Sequence, residues 1–195
     1  MSRSERKQQT RQRILDAAGR VFRKAGFGGV GVDGLAKEAG VTSGAFYAHF
    51  DSKAAAFRES VAQGMAELKD GVRHFQAQHG HTWWSEFVCF YLGEKRKCEL
   101  PESCALQSLA SEISRSDPCS RAEFEAELLN VAALIVEGPA SDHAPADIGE
   151  AMLALSTLVG AVTLTRAVAD PVVAEKIAVA AEQALLSGTS YRGHP

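Results

Sequence analysis

The sequence predicts an all-α fold. Three observations lead there: apolar residues recur at three- and four-residue spacing in segment after segment, Gly and Pro fall between those segments, and no alternating apolar and polar run marks a strand. The 195 residues are 46% hydrophobic and 23% charged, a composition that excludes collagen, disorder and a disulfide scaffold.

Residues 4–24 carry Ile14, Leu15, Ala18 and Phe22 at helical spacing, with Arg11, Arg13, Arg20 and Lys24 on other faces and Gly26 placed to stop the helix. A short second helix follows at 33–39, a turn at Gly40-Val41, a third helix at 43–50, and a fourth that Asp51-Ser52 caps and that runs from Lys53 to about His74. Further helices are expected near 83–97, 103–116, 121–137, 146–169 and 171–187. The breaks fall at Gly80, Pro101, Pro118, residues 138–145 and Asp170, with 138–145 the most flexible. Internal repeats and low-complexity runs are absent.

Charge divides the chain in two. Residues 1–53 hold ten basic and five acidic side chains, a net of +5, and the remainder carries −8. A basic module attracts polyanions by counterion release, although a charge run is more often a solvated helix face, so a geometry is needed as well. The basic start, MSRSERKQQTRQR, has no apolar stretch or cleavage site behind it and does not read as a secretory signal. The uncharged stretch 151–165 is short of a bilayer span, and no membrane segment is expected. Cys89, Cys98, Cys104 and Cys119 lack CxxC spacing and are read as free thiols, which places the chain in the cytoplasm.

Residues 26–31 satisfy GxGxxG, but that fingerprint serves a pyrophosphate only after a strand, and here a helix precedes it. The segment beyond is more informative. Leu35 and Ala36 on a short helix, Ala39-Gly40-Val41 at a tight turn, then Thr42-Ser43-Gly44-Ala45-Phe46-Tyr47 form a helix-turn-helix pattern. Small residues stand where two helices touch, and Val41 and Phe46 lock the angle. Thr42, Ser43 and Gly44 are small enough to approach base edges, while Tyr47, His49 and Lys53 suit phosphate or sugar contacts.

On these residues the sequence resembles the TetR family of bacterial transcriptional regulators: RQRILDAAGRVFRKAGF and VDGLAKEAGVTSGAFYAHFDSKAAAF are similar to its N-terminal signature nearly position for position. Weaker similarity continues in ESCALQSLASEISRSDP and MLALSTLVGAVTLTRAVADP. The resemblance implies that the helix at 43–50 enters the major groove of an operator, that Tyr47, His49 and Lys53 meet its backbone, that the start of helix one adds contacts, and that the last helices build a dimer. Gly31 departs from the pattern, standing where the family often has a hydroxyl residue that caps the second helix and touches phosphate, and Gly34 weakens the same helix.

Residues 1–53 are thus expected to be a helix-turn-helix DNA-binding domain, and 54–195 a helical effector-binding and dimerisation domain. Trp83, Trp84, Phe87, Phe90 and Tyr91 put five aromatics on one segment, which either pack as core or line a cavity for an apolar, aromatic small-molecule effector. Leu155, Leu158, Val159, Gly160 and Val162 form an apolar, small-residue stripe, read either as a homodimer interface or as internal core. A dimer is a physical need, since one small recognition helix makes too few contacts for specific binding and two on a dyad match a palindrome.

His74, His79 and His81 match no familiar ligand spacing, so no metal is expected, and no cofactor either. Basic neighbours at Lys95, Arg96 and Lys97 would favour a Cys98 thiolate, and a helix start does the same for Cys104, which keeps a redox-responsive regulator open as an alternative. A small-molecule sensor acting through a protein partner is another. The signatures GxSxG, HExxH and GxxxxGK are absent, and no catalytic residues are assigned.

Overall fold

A computed structural model describes residues 2–187. Nine α-helices are found there: α1 (Arg3–Ala25), α2 (Val32–Glu38), α3 (Ser43–Tyr47), α4 (Lys53–His79), α5 (Trp83–Phe90), α6 (Ala105–Ile113), α7 (Pro118–Val136), α8 (Ile148–Ala167) and α9 (Pro171–Leu186), with no strand among the described residues. Residues 2–67 and 99–127 form one compact unit, and 68–98 and 128–187 form the other. Helices α4 and α7 each contribute to both.

The helix starts follow from short polar side chains that satisfy otherwise orphaned amides. Ser2 and Glu5 cap α1 reciprocally, Ser52 Oγ accepts the Ala55 amide at 3.0 Å ahead of α4, Asp147 accepts that of Glu150 at 2.8 Å, and Asp170 that of Val172 at 2.8 Å. Pro118, expected as a break, is instead the first residue of α7. A proline is tolerated there because its missing N–H would be unpaired anyway, and Asp117 takes over the Ser120 amide at 3.0 Å. Helix α4 runs past His74 to His79, where Gly80 with φ 51° ends it. The expected helix at 83–97 loses its regular pitch at Tyr91–Lys95, which forms a wider π turn.

In the first unit Phe22 of α1 meets Phe57 of α4 edge to face at 5.1 Å, and Phe27 does the same at 5.1 Å. Helix α4 comes close to α6, since a Cβ at Gly64 would fall 2.3 Å from that of Ala105. In the second unit α8 and α9 pack on one another, burying Ala154, Leu155, Leu158, Ala161 and Val162 from one and Ala174, Ala178 and Ala181 from the other. Helix α8 has 20 residues and is, by length and composition, apolar enough to cross a membrane, longer than the uncharged stretch 151–165 within it. Residues 138–145 are pinned rather than loose. Trp83 Nε1 donates to the Pro139 carbonyl at 2.9 Å, and the Asp142 amide donates to that of His81 at 2.9 Å.

Candidate nucleic-acid interface

The turn between α2 and α3 is made by three backbone bonds. The Ala39 amide closes α2 on Leu35, the Gly40 amide donates to Lys37 at 3.1 Å, and the Val41 amide reaches back to Ala36 at 2.9 Å. These last two bonds are those of a Schellman stop, and they require the left-handed φ of 64° that Gly40 adopts. Thr42 then turns extended, and its Oγ1 accepts the Ala45 amide at 3.1 Å to start α3. Phe46 faces inward with no exposed surface, 5.5 Å from the Phe50 ring, while Leu35 and Ala36 are buried on α2. The two short helices are held by these few contacts, and the outer side of α3 is left to solvent.

Six residues were expected to meet DNA, and they fall into two groups. Thr42, Gly44 and Tyr47 are exposed, Tyr47 by 56%, and Ser43 is half-buried with its hydroxyl donating to Asp33 Oδ1 of α2. These four lie at the start and along the outer side of α3. Lys53 is engaged with its own chain, and His49 is half-buried. Lys53 Nζ donates to the Val30 carbonyl at 2.9 Å and lies 4.1 Å from the centroid of the Phe27 ring, so it ties the α1–α2 connection to the start of α4. His49 has a shielded Nδ1 without a hydrogen-bond partner, and burial, then the nearby Lys7 and Arg11 charges, lower its pKa. The regular helix ends at Tyr47 instead of Phe50, and residues 48–50 continue as a turn on Phe46.

Gly31 precedes α2 with no side-chain cap, as its lack of a side chain dictates. Sequence reading missed the role of Arg11, whose guanidinium pairs with Glu59 and lies 4.7 Å from the Phe50 ring centroid, fixing α1 against both α4 and the end of the recognition segment. It also missed Asp33 as the partner of Ser43. Arg3, Lys7, Arg13, Lys24 and Lys37 are exposed and lie in residues 1–53, the segment with the net charge of +5.

The expected effector residues pack together. Trp83, Trp84, Phe87 and Tyr91 are between 0% and 4% exposed, with the two indoles 5.6 Å apart, whereas Phe90 is 37% exposed and leans on Phe75 at 5.3 Å. Trp84 Nε1 is a buried donor with no acceptor. Of the expected interface residues, Leu155, Leu158 and Val162 are buried in the chain's own core, and Val159 and Gly160 are half-buried. The apolar side chains that α8 and α9 leave exposed are others: Ile148, Leu153, Leu164, Val172, Val173 and Val179. Cys98 Sγ donates to the Lys95 carbonyl at 3.0 Å and receives Arg166 Nη2 at 3.6 Å, and all four cysteines are free.

Comparison with known proteins bears on the same segment. Residues 14–59 match the profile of bacterial regulatory proteins, tetR family. The chain is 48% identical over 52 residues to the HTH-type transcriptional regulator AcrR of Shigella flexneri, covering 27% of this chain and 24% of that protein. It is 50% identical over 46 residues to SrpR of Pseudomonas putida, covering 24% and 22%. The match therefore spans about a quarter of these curated relatives. Over the whole chain the likeness is one of fold. A TetR family regulator from Cytophaga hutchinsonii superposes with a TM-score of 0.73 at 20% identity, covering 99% of each chain, and the reduced form of E. coli NemR with 0.74 at 17%, covering 92% and 96%.

Proposed function

We propose that this chain, a transcriptional regulator of the TetR family by its N-terminal domain and its fold, is a homodimeric, ligand-responsive repressor that binds a palindromic operator. The observation that carries the reading is the α2–α3 pair: a glycine-dependent turn presents the exposed Thr42, Gly44 and Tyr47 from residues 1–53, a segment rich in exposed cations. Residues 1–53 then serve as the DNA-reading part and 54–195 as the effector-binding and dimerisation part, in the cytoplasm. Thr42, Ser43 and Gly44 approach base edges in the major groove, and Tyr47 fixes register on a phosphate. Lys53 supports the start of α4 from within, and contact of Lys53 and His49 with the DNA backbone would add to that role. Selection of duplexes from a random pool by the purified chain tests this. Recovery of a palindrome with half-sites about 34–36 Å apart supports it, and no selected duplex at low salt contradicts it.

For dimerisation the exposed apolar faces of α8 and α9 are the favoured surface, with Leu153, Leu164, Val172 and Val179 supplying area and Gly160 on the same face of α8 as Leu153 and Leu164, beside the half-buried Val159. This reading also gives α8 a use for its apolar length in a protein that works on DNA. For the effector, Trp84 Nε1 supports a molecule with an apolar or aromatic body and one acceptor, bound beside Trp83, Trp84, Phe87, Phe90 and Tyr91. A buried donor left unmatched costs about 1–3 kcal/mol, which a ligand acceptor would recover. Such a ligand releases DNA only if it favours one conformation over another, and a coupling of about 1–3 kcal/mol weakens operator binding about 5- to 150-fold. Operator DNA must then weaken ligand binding by the same factor, which tryptophan fluorescence can read. A thiol switch at Cys98 is the second reading, favoured by the Arg166 guanidinium on its sulfur. It predicts that peroxide releases DNA from the wild type and leaves Cys98→Ser bound.

A further inference from the structure

We infer that a cleft of about 390 Å³ in the unit formed by residues 2–67 and 99–127 is a binding site for a small aromatic molecule that carries a protonated amine. Its apolar lining is Phe27, Ala54 and Phe57, and its polar lining is Glu112, Arg115, Ser116, Asp117 and Ser120. The volume lies within the range of about 300–1,000 Å³ usual for small-molecule sites, and the mixture of an aromatic surface with a few convergent polar groups is what such sites share. It is separate from the tryptophan cluster, which belongs to the other unit.

The chemistry of the occupant follows from the hydrogen bonds already made. The Phe27 amide donates to Glu112 Oε2 at 3.1 Å, the Ser116 hydroxyl to the Ile113 carbonyl at 2.7 Å, and the Ser120 amide and hydroxyl both to Asp117, at 3.0 and 2.6 Å. Arg115 turns its guanidinium to Glu112 Oε1 at 2.7 Å and is otherwise largely exposed. The donors of Phe27 and the two serines are therefore spent, Arg115 keeps free N–H groups on its exposed side, and each oxygen of the two carboxylates retains acceptor capacity. The Ser120 bonds, and after them Arg58 at 4.0 Å and outside the lining, hold the Asp117 carboxyl below its ordinary range, so it is ionised at neutral pH. A ligand that fits brings its own donors and positive charge for Glu112 and Asp117, and a ring for Phe57, since Phe27 already has Lys53 Nζ 4.1 Å from its ring centroid.

The site is placed to act on the DNA-reading end of the chain. Glu112 holds the amide just beyond Gly26, the glycine that ends α1 with φ 71°, and a Cβ at Gly26 would come within 3.3 Å of the Glu112 carboxyl carbon. A bound ammonium shares the Glu112 carboxylate with the Phe27 amide, so occupancy is felt at the α1–α2 connection.

Titration of the full chain with 2-phenylethylamine, followed by calorimetry and by amide NMR, tests the proposal, with 3-phenylpropionate as the matched anion. The expected result is one amine per chain, shifts at the Phe27 and Ser120 amides, and binding of the anion weaker by about tenfold or more. Glu112→Gln and Asp117→Asn should each weaken the amine by about tenfold while retaining the helical melting transition. Equal affinity for amine and anion in the wild type, no binding of the amine at millimolar concentration, or shifts confined to residues 83–91 would overturn it. No DNA enters these measurements, so their failure leaves the operator-binding reading standing.

Discussion

Gly160 sits in the middle of α8, and a Cβ added there would meet nothing within 4 Å beyond its own stretch of helix. Glycine inside a helix costs about 0.8–1.0 kcal/mol relative to alanine, so packing within one chain gives no reason for it. Were this side of α8 to face only water, Gly160→Ala would raise stability by about that amount and change nothing else. In a dimer seated on this face the two-fold relation brings a new methyl into the seam from each copy. Overpacking of a closed interface costs about 1–3 kcal/mol per site, hence about 2–6 kcal/mol for the pair, which raises the dissociation constant roughly 30-fold to more than 10⁴-fold. Gly71 in α4 is the internal control, because it too has nothing within 4 Å and Gly71→Ala brings the same helix gain. Sedimentation equilibrium on both variants reads the difference. The account expects Gly71→Ala to remain dimeric at micromolar concentration and Gly160→Ala to dissociate. Equal dissociation constants for the two would refute the assignment of this face.

Lys53→Met should destabilise the free protein by about 1–2 kcal/mol in urea unfolding, since it removes the bond to the Val30 carbonyl and the cation over Phe27, and unchanged stability would show that neither matters. His49 gives a pH dependence of definite sign. Its folded pKa is lowered by burial and by Lys7 and Arg11, so its contribution to stability is complete above the ordinary value of 6.5 and is lost as pH falls through the lowered one. His49→Gln should flatten the stability profile in that window, and an unaltered slope counts against the assignment.

The helices were legible because amphipathic spacing and short polar caps are local, and the turn at Gly40 was legible because a left-handed residue there has few alternatives. What escaped was tertiary. Lys53 is chemically able to reach a phosphate, and nothing local says that the Val30 carbonyl, 23 residues earlier, accepts its hydrogen bond. Helix α8 is apolar around most of its circumference, so its pattern could not tell Leu155 and Leu158, which face inward, from Leu153 and Leu164, which do not. The five aromatics announced a large apolar cluster but not that Phe90 would stand at its edge. The cleft near Glu112 draws on residues 27, 54–57 and 112–120, three stretches with no common motif, and only the folded chain brings them together.

On the proposed function, α3 of each protomer reads bases from the major groove, so a dimer does so in two places at once. Methylation interference on a selected duplex measures this directly, because dimethyl sulfate modifies guanine N7, an atom exposed only in that groove. The account predicts two patches of interference about one helical turn, 34–36 Å, apart or a multiple of it, and Tyr47→Ala should weaken binding without moving them. Interference that is absent, or confined to a single patch, would contradict the account.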